Sequence, residues 1–315
     1  MRAVTPAPGA PRAPIARGRW IWALSGVVTI GLLAIPTVGF LLGTSSGPAL
    51  SAQPQHIAMQ TVTIGQPVTS VDMETYGASA LVATGPVHSV QVTETIAYDS
   101  QDARPPAVTD SVAAGRLTLA APACAASNCT VGLTVIVPAP GDVAVIAQSD
   151  GGTVTITGIG QANVNSDGGP VRATGIRGPL TVATEGGTLT LNGVRGPLRA
   201  DTGGGSLTAQ DMGRAATSVT TDGGNADIEF AAAPANASVS TGGGGAQLEF
   251  AVPPQAVTLN TDGGPALVTV PGGPYALTTG TGGGPQIIAI ATDPGAARSI
   301  SVTTDGGPLQ IAPSN

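Results

Sequence analysis

The chain has 315 residues, 46 of them Gly and 27 Pro, and is only 3% aromatic, so a core must be built from Val, Ile, Leu and Ala in thin layers. No lysine occurs; four of the twelve Arg fall within residues 1–19, which leaves eight against all 19 acids in the remainder, a net charge of −11. An acidic body of this kind repels phosphates, which excludes nucleic acid as a partner.

Residues 1–19 carry Arg2, Arg12, Arg17 and Arg19 without an acid and read as a basic cytoplasmic tail. The stretch 20–42, WIWALSGVVTIGLLAIPTVGFLL, holds no charge. Its length would extend about 34 Å as a helix, enough to span a bilayer. The preceding Arg place the N-terminus in the cytoplasm and everything after Gly43 outside, with Trp20 and Trp22 at the interface. The expectation is a single-pass protein of the cell membrane. A cleaved signal peptide is the competing reading, because Ala49-Leu50-Ser51 places small residues where a signal peptidase reads, but the apolar run exceeds a usual signal core.

Residues 43–53, GTSSGPALSAQ, read as a linker. Residues 54–145 are strand-like without a regular period, in MQTVTIG, HSVQVTETIAYD, RLTLA and TVGLTVIVP, and are expected to form an N-terminal β-region that caps the C-terminal half of the chain. The two cysteines, Cys124 and Cys129, lie between RLTLA and TVGLTVIVP, read as the arms of a hairpin, and suit a structural disulfide in an exported protein. A redox pair would have two intervening residues, and a zinc site would need more than the isolated His56 and His88.

Residues 146–315 are built on a repeat. A tetrapeptide, Ser/Thr then Asp/Glu/Gly then Gly-Gly, starts at Ser149, Ser166, Thr184, Thr202, Thr221, Thr241, Thr261, Thr281 and Thr304, at intervals of 17, 18, 18, 19, 20, 20, 20 and 23 residues. The second and fourth residues after Gly-Gly are apolar, as in Val154/Ile156 and Leu189/Leu191, with Gln286/Ile288 the exception. Those four and two before the Ser/Thr behave alike, as in Leu180/Val182. Each repeat therefore holds two short strands of period two, too small to bury an apolar face alone, and stacking the units buries all of them. The fold class is all-β: a parallel β-solenoid of about nine two-strand rungs. The glycines are expected to supply positive φ at sharp corners and the preceding Asp an Asx cap.

The order of Arg-rich start, membrane span, Cys-containing segment, LTVIVP strand and SDGGTVTITG-type rungs resembles the bacterial cell-envelope β-strand-repeat domain labelled "putative adhesin", also called toastrack-like, over residues 57–312. The resemblance implies a non-enzymatic envelope module and supplies no catalytic residue. This chain departs from the pattern where Gly203, Gly242 and Gly282 replace the turn acid.

Among chemical candidates, the turn acids Asp150, Asp167 and Glu185, stacked about 5 Å apart, form the best row for a weak Ca²⁺ site. With Asp222, Asp262 and Asp305 they also stand as the carboxylates of a polysaccharide-acting β-helix, the alternative function. Their identical slot before Gly-Gly favours turn formation over catalysis. The expectation is a membrane-anchored adhesion, interaction or envelope-associated module without enzymatic activity or cofactor, whose partners are envelope proteins or polysaccharide.

Overall fold

The computed structural model describes residues 56–98, 107–123 and 129–314. The basic tail, the apolar run 20–42, the linker 43–53 and Cys124 lie outside the described residues; within them no helix is long and apolar enough to cross a membrane.

The described residues are all-β. The first seven strands are β1 (His56–Ile64), β2 (Ser70–Tyr76), β3 (Ser79–Gly85), β4 (Val90–Tyr98), β5 (Thr109–Ala113), β6 (Arg116–Ala121) and β7 (Thr130–Pro138). After them comes a regular series: β8 (Ala144–Asp150), β9 (Val154–Thr157), β10 (Gln161–Ser166), β11 (Val171–Thr174), β12 (Leu180–Thr184), β13 (Leu189–Asn192) and β14 (Leu198–Thr202). It continues through β15 (Leu207–Met212), β16 (Thr217–Thr221), β17 (Ala226–Phe230), β18 (Ala237–Thr241), β19 (Ala246–Phe250), β20 (Ala256–Thr261) and β21 (Ala266–Val270). The chain closes with β22 (Ala276–Gly280), β23 (Gln286–Ile288), β24 (Ser299–Thr304) and β25 (Leu309–Pro313).

Even-numbered strands from β8 onward lie in a 12-stranded sheet and odd-numbered ones in a 13-stranded sheet, with every neighbour in this part parallel and in register apart from one bulge between β15 and β17. Each tetrapeptide is the corner that carries the chain from one sheet to the other. Alternate residues therefore enter one shared core: Ile156, Ala173, Leu191, Ala209 and Ile228 are consecutive partners and all at most 1% exposed. Period two in sequence has become a solenoid-like column of buried side chains, each full-sized one contributing about 1.5–3 kcal/mol. The column is not limited to aliphatics. Phe230 and Phe250 are buried partners stacked at 4.7 Å, and Met212 joins them through a bulge where Asp211 adopts φ 52°. That bulge falls inside the 19-residue interval, where the repeat lengthens from 18 to 20 residues.

Chain order and spatial order diverge at both ends. At the C-terminal end the last rung, β24/β25, inserts between β20/β21 and β22/β23, so the repeats at Thr281 and Thr304 exchange the places that consecutive stacking would give them. The inward residues explain the choice. Ile300, Val302, Leu309 and Ile311 are at most 2% exposed, whereas β22 and β23 turn Leu277, Thr279, Gln286 and Ile288 toward the core side. Gln286 Nε2 donates to Thr279 Oγ1 (3.0 Å), joining the two sheets with a polar bond at the end of the stack, where no described strand covers the outer face of the rung.

At the other end, 54–145 is more than a cap. β2/β3 is a full rung lying between β6/β7 and β8/β9, and β6/β7 is another. β6 and β7 are accordingly not the arms of a hairpin but belong to opposite sheets. Among the described residues antiparallel pairing is confined to the pairs made by β1, β4 and β5, which cap the stack. Polar residues again interrupt their inward positions: between buried Val92 and Ile96, Glu94 is the partner of buried Leu133, and Asp110 is the partner of buried Leu119.

Candidate binding surfaces

The acidic corners are the surface feature that the sequence singles out. In eight of the nine tetrapeptides the buried Ser/Thr hydroxyl donates to the carbonyl of the second Gly, from Ser149 to Gly152 at 3.1 Å through Thr304 to Gly307 at 2.6 Å. That hydroxyl closes the turn, so the expected Asx cap is replaced by a Ser/Thr bond and the acids point outward. The second Gly is needed for close approach and not for positive φ: a Cβ on Gly187 would sit 2.0 Å from the Gly169 carbonyl oxygen of the rung beneath, and one on Gly205 2.0 Å from that of Gly187. The first Gly is less constrained. Gly151 has φ 87°, but a Cβ on Gly186 would meet nothing within 4 Å.

Asp150, Asp167 and Glu185 occupy consecutive corners and are exposed. Among the described residues no three His, Cys, Asp or Glu come together as a metal-holding group. Tyr76 holds the equivalent slot in rung β2/β3 and donates to Glu74, whose bond and charge raise the phenol pKa. Residues 75–78, Thr-Tyr-Gly-Ala, are in fact a tenth corner, with Ala78 in place of the second Gly, a signal that the sequence carried unnoticed. Cys129 is disulfide-bonded and stands at the corner leading into β7.

An outer groove of about 500 Å³ lies on the 13-stranded sheet, running across β17, β19, β21, β25 and β23. Its floor is one register column, Asp227, Gln247, Leu267, Gln310 and Ile287, and Pro265, Pro308 and Pro285 line one side. Ile287 is 60% exposed. The groove follows the solenoid axis, and its spacing of about 4.8 Å per rung presents a repeated row of amides, a carboxylate and apolar surface. The aromatic rings of Phe230, Phe250 and Tyr275 are buried and contribute nothing to it; the Tyr275 hydroxyl donates to the Pro271 carbonyl at 2.8 Å, and burial raises its pKa. Sequence reasoning missed this groove because its floor joins Leu267 to Gln310 and Gln310 to Ile287, neighbours only after the last rung has inserted.

The chain is similar in architecture to solved bacterial structures. A "putative adhesin" from Bacteroides fragilis matches with a TM-score of 0.40 at 12% identity, covering 82% of this chain and 99% of that one. A "putative adhesin" from Parabacteroides merdae matches with a TM-score of 0.40 at 12% identity, over 84% and 98% of the two chains. A "putative lipid binding protein" from Parabacteroides distasonis also matches, with a TM-score of 0.40 at 12% identity over 82% and 98%. No protein-family model and no curated protein matches the sequence.

Proposed function

We propose that this protein is a non-enzymatic, single-pass module of the cell membrane, with its N-terminus in the cytoplasm and the solenoid outside, that acts in adhesion or envelope interaction by laying an extended partner along its outer groove. The observation that carries this reading is the 500 Å³ groove aligned with the rung axis. Its single carboxylate, amides, prolines and exposed Ile287 suit holding a chain-like partner more than performing chemistry on it. The membrane anchor rests on the uncharged run 20–42 after an Arg-rich start. Crosslinking in intact cells with subsequent pulldown tests the reading. Gln247→Arg together with Leu267→Glu should abolish partner capture at unchanged abundance; capture that survives both changes refutes a role for the groove.

A further inference from the structure

On the 12-stranded sheet, insertion of the last rung creates a neighbourhood that chain order hides. Asp305 N donates to the Thr261 carbonyl at 3.0 Å and Asp262 N to that of Thr241 at 2.8 Å, while Gly306 N reaches the Thr281 carbonyl at 2.9 Å. The corner row therefore runs Gly242, Asp262, Asp305, Gly282. In chain order Asp262 would adjoin Gly282. Two carboxylates thus stand side by side between two corners that lack side chains, and a cavity of about 480 Å³ opens there. The next outward column, Ser240, Asn260 and Thr303, lines the same cavity.

We infer that this cavity is a binding subsite for a neutral, polyhydroxylated glycan, an inference that rests on the reading of the chain as an exported binding module. The lining decides the ligand class. Carboxylates only accept hydrogen bonds, whereas Ser, Thr and Asn both donate and accept, so the complementary ligand must bring several donors. Among the described residues no Arg lines the cavity, and the salt bridges engage Asp72, Asp142 and Asp211 only, so no cation screens the Asp262 and Asp305 carboxylates from an anionic ligand, which they disfavour. No large apolar side chain lines it, which removes the anchor that a hydrophobic peptide would need. Its volume falls within the range of small-molecule sites and exceeds what a bare ion fills. Sugar hydroxyls donating to Asp262 and Asp305 would form charge-assisted bonds, and the Ser240, Asn260, Thr303 column extends the contact along the rungs.

Affinity electrophoresis of the detergent-solubilised full chain through gels containing dextran, laminarin or soluble mannan tests this. At least one glycan should retard the protein. Asp262→Asn with Asp305→Asn should weaken that retardation about tenfold or more, and Asn260→Ala should weaken it as well, at unchanged melting midpoints. Asp167→Asn with Glu185→Gln, which removes the same charge from two other corners, should leave it intact. Absence of retardation by all three glycans overturns the inference, as does retardation that the Asp262/Asp305 pair does not influence. Retardation that chelator abolishes would identify a metal site instead, and equally overturns it. Partner capture through the groove is read separately, so loss of either result leaves the other standing.

Discussion

The middle of the solenoid and its two ends obey different rules. From β8 to β21 each rung stacks on its predecessor, the inward strand positions are apolar save Thr217 and the Ser/Thr at or next to the end of each even-numbered strand, and the buried hydroxyls of the latter close the corners over stacked glycines. At the ends the rungs lie out of chain order and polar residues enter the inward positions beside apolar ones: Gln286 and Thr279 at one, Glu94 and Asp110 at the other. A rung with neighbours on both sides must be apolar within, whereas a terminal rung has one open side and is selected for polar capping. The out-of-order insertion is a consequence, since it moves the more apolar rung inward and leaves the poorer one outside.

The strongest way to break the contrast is to place the same charge in both regions. Leu191→Asp, at a site 1% exposed, should cost about 4 kcal/mol or more, or prevent folding. Ile288→Asp, on the 38% exposed terminal rung, should cost about 1 kcal/mol or less by urea denaturation. Equal costs would mean that the end rung is packed like the middle.

Next in size are the paired glycines of one corner. Gly187→Ala forces a methyl group against the Gly169 carbonyl and should cost about 3 kcal/mol, while Gly186→Ala enters open space and should change the melting curve by about 0.5 kcal/mol or less. Smaller again, Thr184→Val removes the donor to the buried Gly187 carbonyl and should cost about 1–3 kcal/mol. The double change Asp167→Asn and Glu185→Gln should leave the melting midpoint unmoved, with or without millimolar Ca²⁺. A Ca²⁺-induced rise that the double change abolishes would make these acids ligands and not bystanders of the corner.

The smallest effect sharpens the picture of the capped end. Burial, and then the nearby charge of Asp110, raise the pKa of Glu94. A raised carboxyl pKa means that the fold prefers the protonated form, so its contribution is fully present below the unfolded pKa and is lost as pH rises through the folded one. Glu94→Gln should therefore raise the melting midpoint slightly at pH 7 and not at pH 3; an unchanged pH profile would show that Glu94 is not desolvated by the cap.

Much of this was legible in the sequence because the repeat is local. The tetrapeptides, the two strands per unit and the inward slots of Ile156, Leu191 and Ile228 all derive from spacing and side-chain type within one rung. The reason for the glycines was not legible, because it lies in the carbonyl of the rung beneath. Rung order was hidden for the same reason: it depends on which unit best closes an end, and only Gln286 and the 23-residue last interval hinted at it. The groove and the Asp262/Asp305 cavity inherit that concealment.

The insertion of the last rung is therefore the claim on which both surfaces depend, and an engineered disulfide tests it most directly. Asn260 and Thr303 are register partners on adjacent strands, while Asn260 and Gly280 are separated by β24. Cysteines bridge when their Cα atoms lie about 4.4–6.8 Å apart, which strands about 4.8 Å apart satisfy and strands about twice that distance apart do not. Asn260→Cys with Thr303→Cys should crosslink readily under mild oxidation, and Asn260→Cys with Gly280→Cys should not. The reverse result, with the second pair bridging and the first remaining as thiols, would restore consecutive stacking and contradict the account.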